Sequence, residues 1–253
     1  MSLTVLLAVT TVVPRLSSIA LAGGPLLMVI TVAVTYAIAV SLGHVPPFLP
    51  MISDLQVFAP ECYVSRVFMP LATFLMQVGV VMVCIWLDLD ATRRVSPFLR
   101  WLDIAVATCT VIALGGFQVV GAVSELKDVT VHEIGALSAF VGLLLYFCAV
   151  NLRLFFARRR LPLSRACFAL RLVATAGMAM SLVAGVILVS LNGYGNVRTE
   201  MAVLEWLCGT AVGAFFVSLS HEVRIDGALH AKSRDDDDDS LQPAINERSR
   251  LVV

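Results

Sequence analysis

Val129 to Asn151 read VTVHEIGALSAFVGLLLYFCAVN, 23 residues with one formal charge, Glu133, and one histidine, His132. A bilayer core about 30 Å thick is crossed by roughly 20 apolar residues in helical form, so this stretch predicts a transmembrane helix. Five more windows meet the same requirement, at about 20–42, 64–87, 101–123, 166–191 and 201–221. No alternating pattern of about ten residues recurs, which argues against a membrane barrel. The expected fold is all-α: a polytopic membrane protein built as a bundle of six transmembrane helices.

Composition agrees. Of 253 residues, 59% are hydrophobic and 14% charged, with a mean hydropathy of +0.91; soluble domains carry about 25% charge. Thirteen of the 36 charged residues lie in positions 222–253, so the first 221 have too few to cover a soluble surface. These figures exclude a soluble enzyme and a disordered chain. Zero net charge argues against nucleic acid as a partner.

Basic residues in the short connections orient the bundle. One side collects Arg15, Arg93, Arg94, Arg100, five arginines between 153 and 165, and Arg224, Lys232 and Arg234. The other holds Arg66, Lys127 and Arg198. Both termini are therefore expected in the cytosol, with the 43–63, 124–128 and 192–200 loops lumenal or extracellular. Met1–Val13 is apolar and Ala20-Leu21-Ala22 has the look of a cleavage site. The segment lacks a basic leader, however, and cleavage would place the arginine-rich loops on the wrong side, so no signal peptide is expected. The expected organisation is a cytosolic segment 1–19, a transmembrane domain 20–224 and a disordered acidic cytosolic tail 225–253, the last marked by the run Asp235–Asp239.

The first lumenal loop carries Pro46, Pro47 and Pro50 among Val45, Phe48, Leu49, Met51 and Ile52. Three prolines in five positions block helix. The loop reads either as a lid resting on the membrane or as a merely hydrophobic connector. Of six cysteines only Cys62 falls in a lumenal segment, so no lumenal disulfide is expected. Cys148 and Cys167 near the cytosolic boundary are candidates for palmitoylation, with packing as the default. No cysteine or histidine spacing suits a metal, no cofactor motif occurs, and no Asn-x-Ser/Thr site is present.

Ionisable groups inside spans are candidates for function. Arg66 opens the second span, His132 and Glu133 the fourth, and Glu205 lies one turn into the sixth, with Tyr63 and Asp128 beside them. All four sit within roughly 8 Å of one interface. They read as a shallow polar cavity for a lipid headgroup, with Arg66 on phosphate and His132 as acid or base beside a carboxylate. They also read as interhelical ion pairs, and spacing alone favours the latter. Toward the cytosol, Asp103 and Arg171 have opposite sign at similar depth and read as a structural pair. Small residues such as Gly115, Gly116, Gly121, Gly177, Gly185, Gly209 and Gly213 allow close helix packing.

Leu49-Pro50-Met51-Ile52-Ser53-Asp54 with Pro60-Glu61, Val131-His132-Glu133-Ile134-Gly135-Ala136, and Leu204-Glu205-Trp206 resemble the first-loop, fourth-span and last-span motifs of the Frag/DRAM/Sfk family of six-span membrane proteins. The likeness runs from about residue 20 to 224. Tyr63-Val64-Ser65-Arg66 and Asp128-Val129-Thr130-Val131-His132-Glu133 are most similar to the branch that acts on GPI anchors after their attachment to protein, while Ser53-Asp54 and Ile134-Gly135-Ala136 look more like the autophagy and phosphoinositide-kinase-anchoring branches.

The resemblance implies a factor in the re-acylation stage of GPI-anchor lipid remodelling, in Golgi or endoplasmic reticulum membrane. Arg66, His132, Glu133, Glu205, Tyr63 and Asp54 would bind the glycolipid, and His132 and Glu133 are the catalytic candidates. The absence of a nucleophile motif or phosphate loop leans the reading away from an enzyme. The alternative is a non-enzymatic organiser of lysosomal or plasma membrane, with protein partners at the cytosolic arginine-rich loops and acidic tail. A transporter is disfavoured, because no charge lies near mid-bilayer and no span is broken by a central proline.

Overall fold

The computed structural model describes residues 3–89, 97–157 and 164–250. Its elements are α1 (Leu3–Ser41), α2 (Glu61–Leu89), α3 (Pro97–Ala122), α4 (Val129–Ala157), α5 (Arg165–Asn192) and α6 (Arg198–Arg250), with short 3-10 turns at Asp54–Gln56 and Tyr194–Asn196. Six helices are long and apolar enough to cross a membrane, over Val12–Ser41, Glu61–Ile85, Asp103–Ala122, Val129–Leu152, Arg165–Asn192 and Arg198–Ile225. Each crossing helix satisfies its own backbone, which is what hydrocarbon demands. The described residues contain no strand.

Pro14, Arg15, Ser17 and Ser18 lower the local hydropathy, which is why sequence alone places this stretch outside, yet the apolar stretch of α1 includes them. The structure satisfies the two serines internally. Ser17 Oγ donates to the Pro14 carbonyl at 3.0 Å, and Ser18 Oγ to the Ser220 carbonyl of α6 at 2.9 Å, both buried. Ser17 and Ser18 are therefore packed into the bundle. At the other terminus α6 runs to Arg250.

Consecutive helices pack side by side in a ring, with α6 closing on α1; the α1–α2 contact is the most extensive and α4–α5 the thinnest. The six crossings place both termini at one end. The other end, here the loop end, carries the 42–60, 123–128 and 193–197 connections. Aromatic rings of α4 and α6 fill the centre: Phe147 stacks on Phe215 at 3.7 Å and 6°, and Tyr146 lies parallel to Phe216 at 6.1 Å. Small residues set two close crossings. A Cβ on Gly116 of α3 would fall 2.5 Å from the Gly135 carbonyl of α4, and one on Gly24 of α1 would fall 2.6 Å from the Ala72 carbonyl of α2. Of the glycines singled out by sequence, Gly116 and Gly121 make such approaches, whereas Gly115, Gly177 and Gly213 face open space. In mid-bundle Gln77 Nε2 donates to the Val111 carbonyl at 2.8 Å and Gln118 Nε2 to Gln77 Oε1 at 3.0 Å, a polar link between α2 and α3 that hydropathy does not register.

Candidate functional site

The connection from α1 to α2 builds the loop end. Its prolines exclude helix, and Leu49 takes a left-handed φ of +43°, uncommon for a residue with a side chain. Peptide groups stripped of a helical partner must find another one. Tyr36 of α1 donates its hydroxyl to the Pro47 carbonyl at 2.6 Å, and Trp206 of α6 donates Nε1 to the Pro50 carbonyl at 2.9 Å. Glu205 accepts the N–H groups of Ile52 at 2.7 Å and Ser53 at 3.2 Å. Arg198 Nη2 meets Asp54 Oδ1 at 2.7 Å, and Ser65 Oγ donates to Gln56 Oε1 at 2.7 Å. His44 Nδ1 lies 2.6 Å from Oε1 of the fully buried Glu61.

Val45 and Leu55 pack with Ala39 beneath these bonds as a small apolar plug. The loop is a fixed cap bonded to α1, α2 and α6. Its exposed edge is Pro46, Pro47 and Phe48, the last 81% exposed.

The six ligand-binding candidates occupy three neighbourhoods. Glu205 and Asp54 hold the cap, Glu205 by accepting the Ile52 and Ser53 N–H groups on its carboxylate and Asp54 through Arg198. Arg66 and Tyr63 form a pair on α2: the guanidinium stands 5.9 Å over the phenol ring, which is 62% exposed. His132 and Glu133 lie at the corner between α3 and α4. His132 is buried, and its Nδ1 lies 2.7 Å from the Val123 carbonyl, one of the acceptors that the end of α3 leaves orphaned. A carbonyl only accepts, so this contact places the imidazole proton on Nδ1. Glu133 is exposed.

Helix α3 stands between α2 and α4 in the ring, so the Arg66 pair and the His132 corner flank it. Of the residues missed by sequence reasoning, Trp206 had a signal, an indole near the membrane boundary. His44 with Glu61 and Arg198 with Asp54 had none, since each pairing depends on how the loop folds. Among the described residues no group of His, Cys, Asp and Glu side chains is arranged to hold a metal ion.

At the opposite end, where sequence matches Arg171 with Asp103, Arg171 meets Glu222 of α6, at 2.9 Å (Nη2–Oε1) and 2.5 Å (Nη1–Oε2). Glu222 lies one residue past the hydropathy window 201–221, yet it is buried. Asp103 stays in the neighbourhood, since it and Arg171 are both within electrostatic reach of Tyr146. Thr175, one turn beyond Arg171, accepts from Asn151 Nδ2 of α4 at 2.8 Å and donates to the Arg171 carbonyl at 2.7 Å.

Glu205→Ala should leave the Ile52 and Ser53 N–H groups without an acceptor. Loss of bonds to a charged acceptor is worth about 2–3 kcal/mol, so amide exchange across 46–56 should accelerate by about 30-fold or more. Unchanged protection in hydrogen-exchange mass spectrometry would remove Glu205 from the role of anchor.

Comparison with curated proteins and with solved structures gives no match. Residues 17–224, the whole of the helical ring and its cap, match the model of the Frag1/DRAM/Sfk1/Cwh43P N-terminal domain, and the chain belongs to that family.

Proposed function

We propose that the protein is a membrane factor that receives a phosphorylated glycolipid of the GPI-anchor type at its loop end. It would serve the re-acylation stage of anchor lipid remodelling by binding and presenting the lipid. The observation that carries this reading is the Arg66–Tyr63 pair. Arg66 lies about 7.5 Å into α2, half-exposed beside the exposed Val67 and Phe68. A planar cation at that depth suits a lipid phosphate whose acyl chains remain in the bilayer. His132 is buried against a carbonyl, which supports a positioning role over proton transfer and hence binding over catalysis.

The excess of Lys and Arg at the other end supports a lumenal loop end and cytosolic termini, in Golgi or endoplasmic reticulum membrane. A glycosylation acceptor placed in the 43–60 loop should be modified in cells, and one placed near Ser164 should not; the reverse pattern inverts the topology.

A second reading draws on a different observation. Helix α6 continues 25 residues past Ile225, about 37 Å of additional helix, a suitable surface for protein partners of an organiser. The arginines at 93, 94 and 158–160 that would join it lie outside the described residues.

One rescue experiment separates the two. In deletion cells at matched protein level, Arg66→Ala should lower remodelled GPI lipid about tenfold or more, as loss of a charged bond to phosphate implies. Truncation after Ile225 should leave it unchanged. Full rescue by Arg66→Ala together with failure of the truncation would transfer the function to the α6 extension.

A further inference from the structure

At the end that carries both termini, α5 and α6 bring a thiol and an imidazole together. Cys167 is the third residue of α5, and its sulfur lies 3.6 Å from Nδ1 of His221 on α6. Cys167 is half-buried and His221 exposed. Cys167 lies about 3 Å inside the start of α5 and His221 closes the apolar window 201–221 of α6, so both stand where the helices leave the apolar core.

Arg165, two residues before Cys167, and Arg224, one turn beyond His221, are both exposed and put positive charge at the same end of the bundle. Below His221 the outward stripe of α6 runs through Val217 and Leu207, about half exposed. Between them is Gly213, where an added Cβ would meet nothing within 4 Å.

We propose that Cys167 is an S-acylation site, the acceptor of a fatty acyl group from a long-chain acyl-CoA thioester, with His221 as its base. With the imidazole proton on Nε2, Nδ1 takes the proton from the Cys167 thiol. The thiolate attacks the thioester carbonyl carbon and pushes its electron pair onto the oxygen. The bond from that carbon to the CoA sulfur then breaks, and the departing thiolate takes the proton from His221. One thioester is exchanged for another, with no change of oxidation state. Arg165 and Arg224 receive the CoA phosphates, and the acyl chain enters the bilayer along the Val217–Gly213 stripe.

A choice based on exposure alone would favour Cys148, which is exposed near the same boundary on α4; the imidazole contact selects Cys167. The test is purified full-length protein in nanodiscs incubated with palmitoyl-CoA, read by intact mass and by mapping of hydroxylamine-sensitive peptides. The expected result is one acyl group, on Cys167, lost in Cys167→Ser and kept in Cys148→Ser. His221→Gln should slow its formation about 100-fold, the lower range for a general base. An unlabelled Cys167 in the wild-type chain, a label mapped to Cys148, or a His221→Gln rate within twofold of wild type would overturn the assignment. Mapping on the wild-type chain decides the site even if Cys167→Ser fails to fold.

Discussion

Arg171→Ala and Glu222→Ala should each abolish accumulation of the folded protein, while the paired replacement Arg171→Met with Glu222→Leu should restore it. The Arg171 side chain is fully buried and that of Glu222 is 10% exposed, and each is the other's counter-ion. Removing one member strands the other charge among the packed helices, at a cost of about 3–5 kcal/mol. Whole-domain stabilities lie at about 5–15 kcal/mol, so either single change consumes a large part of the margin. The paired apolar replacement keeps the volume and removes both charges, which is often close to neutral. The measurement is a double-mutant cycle on thermal stability in detergent, by fluorescence-detected size exclusion. Strictly additive losses would mean that the two side chains do not interact.

Gly116→Val should be nearly as damaging, through shape and not charge. A Cβ at Gly116 meets the Gly135 carbonyl and Ser138 Oγ at 2.5 Å and the Ala139 nitrogen at 2.9 Å. Two of these atoms are backbone and cannot rotate away, so α3 and α4 must separate along their length. Overpacking of this kind typically costs about 1–3 kcal/mol, and the backbone obstacle puts this site at the upper end. His132 reports the separation, since its bond to the Val123 carbonyl spans the same pair of helices at 2.7 Å. Gly115→Val, one position away and facing open space, should lie within about 0.5 kcal/mol of wild type. Equal thermal shifts for the two variants would show that helix propensity and not the crossing sets the loss.

Hydropathy makes the six spans legible because crossing a bilayer is a requirement on length and polarity that local sequence meets by itself. It falls short at Pro14–Ser18, where the polar atoms are satisfied by α1 itself and by Ser220 of α6, 202 residues away. The site follows the same division. Glu205, Arg66 and His132 are identifiable as unusual because they are ionisable groups at membrane depth, and Asp54 because it lies in the first-loop motif. Their roles depend on partners that no spacing announces: backbone N–H groups of the loop for Glu205, Arg198 for Asp54, the end of α3 for His132. Arg66 differs, since Tyr63 stands one turn away on the same helix. Its contact is local and is the one most readable from sequence. Glu222, just past the hydropathy window, has no sequence signal for its role as the buried counter-ion of Arg171.

The bonds across the cap also order events in time. Ile52 and Ser53 lie in the segment that follows the first helix, and Glu205, Trp206 and Arg198 lie in the last, 144 to 156 residues later. During synthesis the early segment leaves the ribosome with its peptide groups and the Asp54 carboxylate still unmatched, and they stay so until the final helix is inserted. Closure of the ring is therefore the last act of maturation. A chain that stalls before Arg198 displays the unmatched N–H groups of Ile52 and Ser53, the Pro50 carbonyl and the Asp54 carboxylate that the finished protein satisfies, a mark by which folding surveillance can tell incomplete molecules from complete ones.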